Sequence, residues 1–137
     1  MSSLEQLRLA VNSSSELWKA GAHEKALKLL DDAIAAAIKE KDSSSIRTLS
    51  QHAAVMANWV GDLRRVRYYY EQSLAYNPEN PMALYGLARV SAEEGEHDLA
   101  KRYAARCYQA VLHSDDEIDR GLLELIAKQW PELRSEC

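Results

Sequence analysis

Four histidines and two cysteines are the side chains with which this 137-residue chain could build a nucleophile or a metal site. His23 precedes Glu24, His97 precedes Asp98, His113 stands two residues before Asp115, and His52 has no acidic neighbour. Metal binding and metal-assisted hydrolysis need ligands spaced to converge, as in HExxH on one helix face or Cys and His two to four residues apart, and none of these spacings occurs. Asp115, Asp116, Glu117 and Asp119 form an acidic run, but without the alternating acids and invariant glycine of a calcium loop. Negative residues at a helix start are explained by the backbone dipole. There is no glycine-rich phosphate loop and no G-x-S-x-G elbow. The expectation is therefore a protein that is not an enzyme, with no cofactor and no metal.

The cysteines agree. Cys107 falls in a helical segment and is expected to be a small core residue, while Cys137, at the last position, is expected to be an exposed thiol open to oxidation. Their number and spacing make neither a disulfide framework nor a ligand set.

A net charge of −4 argues against phosphate-backbone binding, which needs a basic stripe, so no nucleic-acid partner is expected. The start MSSLEQLRLAV lacks the basic residues and apolar core of a signal peptide, and no run of about 18 apolar residues occurs, so no membrane span is expected. The chain reads as soluble and cytoplasmic.

The elements that would position these residues are helices. Ala, Leu, Glu, Lys and Arg dominate, prolines number three, and no β-branched alternation appears. Gly21, Gly61 and Gly95 each follow one helical pattern and precede another, as suits the left-handed residue at a helix end. Each is followed at five residues by Ala26, Val66 or Ala100, and seven later by Ala33, Ser73 or Cys107, compact side chains that let two helices approach. Gly21 to Gly61 is 40 residues and Gly61 to Gly95 is 34.

A two-helix unit of 34 residues is the period of the tetratricopeptide repeat, and the chain resembles that family over roughly residues 4 to 130. The third unit carries the likeness in Leu84-Tyr85-Gly86-Leu87-Ala88, Gly95, Ala100 and Cys107; the second in Gly61, Val66, Tyr70, Ser73 and Asn77-Pro78. The first keeps Gly21, Ala26, Leu30 and Ala33, but has Ser13-Ser14 where the family prefers Leu-Gly, and no unit has the family's opening tryptophan. The resemblance implies an all-α fold, a right-handed superhelix of antiparallel helix pairs with about seven helices in a single domain, 1–137. Repeat one covers about 4–41 with a lengthened second helix, followed by a polar loop over Lys41-Asp42-Ser43-Ser44-Ser45; repeat two covers about 44–78 and repeat three about 81–112. His23 and His97, each two residues after a turn glycine, take a structural position in such a unit.

A seventh helix over about 115–130 is expected to cap the stack. Ser114-Asp115-Asp116-Glu117 reads as a capping box, and Ile118, Leu122, Leu125 and Ile126 as one buried face. Asp116, Asp119, Arg120, Glu124 and Lys128 form the polar face a terminal cap needs.

In this repeat family the first helix of each pair lines a concave groove, so the resemblance places Arg8, Val11, Asn12, Ser15, Trp18 and Lys19 there from the first unit. Gln51, His52, Val55, Asn58 and Trp59 follow from the second, and Tyr85, Arg89 and Glu93 from the third. Aromatic rings offer buried area at low entropy cost, while Arg and Asn can fix backbone or carboxylate groups of a peptide. Members that grip chaperone C-terminal carboxylates use a lysine and an asparagine four residues apart on the first helix; Val11 and Ser15 occupy those positions, so that ligand is not implied. The expected function is a protein-protein interaction module, an adaptor, scaffold or co-chaperone-like protein that binds a peptide or protein segment. The alternative is a structural subunit that forms a homo-oligomer or docks through its convex face, where Tyr68 should point outward while Tyr70 points to the core, and through its terminal helix.

Overall fold

The computed structural model describes residues 3–134, and Cys137 lies outside them. Seven α-helices follow one another: α1 (Ser3–Lys19), α2 (His23–Lys39), α3 (Ser43–Trp59), α4 (Leu63–Tyr76), α5 (Pro81–Glu93), α6 (His97–Val111) and α7 (Glu117–Gln129). A 3-10 turn over Pro131–Arg134 ends the described chain, and no strand occurs among the described residues.

Four of the connections close alike. Gly21 donates its N–H to the Trp18 carbonyl at 3.0 Å and Ala22 donates to Leu17 at 2.9 Å, a pair of bonds that satisfies the last carbonyls of α1 and turns the chain back. Gly61 with Asp62, and Gly95 with Glu96, repeat the pattern, each glycine at positive φ. The α2–α3 turn makes the same two bonds, from Lys41 to Ile38 and from Asp42 to Ala37, with Lys41 itself at φ 55°. Ser43, Ser44 and Ser45 are thus the first turn of α3 and not a loop, because Asp42 caps that helix: its carboxylate accepts the Ser45 N–H at 3.2 Å and the Ser45 hydroxyl at 2.7 Å. α2 stops at Lys39, and α2 and α3 each run 17 residues.

Contacts divide the chain into two compact units, residues 1–76 and 77–137. In the first, α1 packs on α2, α2 on α3 and α3 on α4, around Leu27, Leu30, Ile34, Ile46, Leu49, Ala53 and Tyr69. Ala53, Ala54 and Ala57 leave α3 thin enough for its neighbours to come close. Tyr70 is buried and Tyr68 exposed, as the helical rotation requires, but the fully enclosed ring is that of Tyr69.

In the second unit α5 packs on α6, and α7 on both, around Leu84, Leu87, Ala104, Cys107, Val111, Leu122 and Ile126. Cys107 donates its thiol to the Pro81 carbonyl at 3.3 Å, and burial pushes the thiol up to about 12, which leaves it protonated and inert. Asn80 caps α5 by accepting the Met82 N–H, with Pro81 in the first turn, where its missing N–H costs nothing.

α7 departs from expectation twice. Its cap is Asp116, which accepts from the N–H groups of Ile118 and Asp119, while Ser114 bonds the Asp119 carboxylate and accepts from Asp116 N–H, so the expected capping box does not form. Leu122 and Ile126 are buried as expected, whereas Ile118 and Leu125 are exposed: the buried arc of α7 is completed by Ala127 and not by them.

Candidate functional site

α1 and α3 contact each other within the first unit and set two rows of side chains side by side. On α1, Arg8 and Asn12 are exposed, one turn apart, and Val11, Ser15 and Trp18 are half-buried. On α3, Gln51 and His52 are half-buried, while Val55, Asn58 and Trp59 are exposed. The rows meet where the Ser15 hydroxyl lies 3.5 Å from His52 Nε2. Ser15 also donates to the Val11 carbonyl at 2.8 Å, so its hydroxyl is already held by its own helix. Burial lowers the His52 pKa below the usual imidazole range, which keeps the ring neutral at neutral pH.

The two rows end in an aromatic cluster. Trp18 closes α1, His23 opens α2 and Trp59 closes α3; the turn at Gly21 folds His23 back over Trp18, ring centroids 4.0 Å apart. Trp59 meets both edge-on, at 5.7 Å from each. Such edge-to-face geometry is favourable for the ring quadrupoles. Yet Trp59 remains 72% exposed and Val55, one turn before it, 61%. His23 therefore has a role its spacing did not announce: it is the third ring of this cluster.

Tyr85 and Arg89 lie on α5, in the second unit. The Arg89 guanidinium stands 6.0 Å over the Tyr85 ring and 3.8 Å from Glu93, so it is engaged by its own helix.

Chain spacing gave no sign of a charged cluster on the other helices of the first unit. Arg65 on α4 donates two parallel hydrogen bonds to Glu24 on α2, at 2.9 and 2.8 Å, and lies 3.3 Å from both Asp31 and Asp62. The Tyr69 hydroxyl donates to Asp31. The hydrogen bond and charge of Arg65 hold the Glu24 carboxyl below its ordinary value, and donating that hydrogen bond to Glu24 raises Arg65. Burial, reinforced by Asp31, raises the Tyr69 phenol well above its ordinary value. Partners 34 to 41 residues apart in the chain carry no local signature.

Among the described residues no three His, Cys, Asp or Glu side chains gather as a metal set, and no helix is long and apolar enough to cross a membrane. No protein-family model matches the chain, and neither does any curated protein. Among solved structures it is similar to the C-terminal TPR-containing domain of a Plasmodium falciparum protein described as FK506-binding. The identity is 18% and the TM-score 0.64, with 98% of this chain and 97% of that one covered. The likeness shows the fold, the all-α helix-pair fold of tetratricopeptide-repeat proteins.

Proposed function

We propose that this chain, which has the tetratricopeptide-repeat fold, is a protein-protein interaction module that holds an extended or helical segment of a partner along the α1/α3 face. The observation that carries the reading is Trp59. An indole left 72% in water, beside an exposed Val55 and in ring contact with Trp18 and His23, is an apolar anchor already held on one side, whose burial by a partner would release ordered water at a reduced cost in side-chain freedom. Arg8, Asn12, Gln51 and Asn58 supply hydrogen-bond donors beside it for a peptide backbone or carboxylate. Tyr85 and Arg89 offer a separate aromatic and basic pair on α5 of the second unit.

The test is selection of peptides from a random displayed library on the whole immobilised chain, followed by titration of the selected peptides. Trp59→Ala should weaken binding by at least about tenfold, as truncating an interface anchor does, with helicity unchanged. Arg8→Ala should weaken it less. Selected peptides that bind Trp59→Ala as tightly as the native chain would overturn the reading.

A further inference from the structure

α7 buries only one side. Leu122, Ile126 and Ala127 face the helices it packs on, whereas Ile118 is 67% exposed and Leu125 49%. Ile118 and Leu125 are seven residues apart, two turns, and so stand in one line along the helix, with Gly121 between them on the same exposed side. Gly121 is the unexplained residue. It lies inside the helix, it is not among the positive-φ residues, and a Cβ built on it meets nothing within 4 Å. Neither its backbone nor its own chain requires a glycine, and glycine is the poorest helix former after proline. A helix laid across α7 from outside would require one, since the missing side chain lets two backbones approach between flanking apolar residues.

Charge decides which helix. Along the exposed side of α7, Glu117 stands at the start, Arg120 and Glu124 on either side of the glycine's turn, and Lys128 at the end; none of the four makes an ion pair among the described residues. We propose that the Ile118–Gly121–Leu125 face docks a second copy of this chain, the two α7 helices crossing antiparallel beside Gly121. Reversing one copy against the other brings Glu117 to Lys128 and Arg120 to Glu124, each pair twice by the twofold symmetry, and sets the two helix dipoles in opposition. A parallel twofold would turn the two charged flanks to opposite sides of the contact and leave these charges unpaired. A 13-residue helix is about 20 Å long, too short for a standard-size interface, so the dimer is weak and concentration-dependent.

Sedimentation equilibrium of the full chain, from micromolar to millimolar concentration, should show a monomer–dimer equilibrium. Leu125→Asp should weaken it by at least about tenfold. Gly121→Ala gives the sharper result, because the added methyl has room in the monomer: the melting temperature at low concentration rises while association weakens. Lys128→Glu should also weaken association, and adding Glu117→Lys to it should restore the dimer. A chain that stays monomeric throughout overturns the proposal, and so does association that ignores Gly121→Ala or is not restored by the double charge reversal.

Discussion

Two faces of the first unit use polar side chains in opposite ways. Between α2 and α4, Arg65, Glu24, Asp31, Asp62 and Tyr69 satisfy one another, and the Arg65 side chain keeps only 22% of its surface exposed. Between α1 and α3, the cross-helix polar contact is the long Ser15–His52 approach, and the Trp59 ring stands largely in water. A closed network has its donors and acceptors occupied and adds to stability; an open face leaves them for something else. The same unit can therefore be rigid on one side and receptive on the other.

The largest effect should come from opening the closed face. Arg65→Met keeps much of the side-chain length but leaves three carboxylates and a buried phenol without their cation. We expect a loss of about 2 kcal/mol in urea unfolding at neutral pH, below the full cost of breaking a deeply buried pair because Glu24 is solvent-exposed. The sign with pH follows from Glu24: its pKa is depressed in the folded chain, so its share of stability is present above the unfolded value near 4.5 and is lost as pH falls through the folded value. The gap between the native chain and Arg65→Met should narrow in acid. A gap that is small at neutral pH, or constant down to pH 3, would break the contrast between the two faces.

The turn that joins these faces runs from α2 to α3, and it marks where the sequence stopped being legible. Gly21, Gly61 and Gly95 announced three turns because only glycine enters the left-handed region freely. Lys41 makes the fourth in the same geometry, with the same two backbone bonds, and a lysine there has no signature. The serines after it read as loop because serine is common in turns, although Asp42 is a residue type that caps helix starts. In α7 the apolar period gave the helix but not its covered side: Ile118, Leu122, Leu125 and Ile126 span one broad arc, and which half meets α5 and α6 is set by packing distant in sequence. Arg65 and its partners were invisible for the same reason, and the helix placement of Trp18 and Trp59 was readable while the ring that joins them, His23, was not. Lys41→Gly removes left-handed strain at no cost in contacts and should stabilise the chain by roughly 1 kcal/mol. Thermal unfolding measures it; a decrease would mean that the Lys41 side chain holds the turn.

The smallest effect tests the open face itself. His52 is half-buried beside Ser15 with no acid to neutralise an imidazolium, and burial lowers its pKa from 6.5. Below pH 6.5 the unfolded chain takes up this proton more readily than the folded one. Stability should therefore fall as pH drops from 6.5 toward the folded value, and level off beneath it. His52→Gln keeps a polar group of similar reach but does not titrate, so subtracting its stability from that of the native chain at each pH isolates the slope from the other histidines. A ligand that covers the α1/α3 face would bury His52 further, steepening the same slope, and coupling between binding and this titration would place the ligand on α3 without any substitution at Trp59. A difference curve that is flat between pH 7.5 and 5 would show that His52 is as well solvated as an unfolded one, and that the polar half of this face is open to water like its aromatic end.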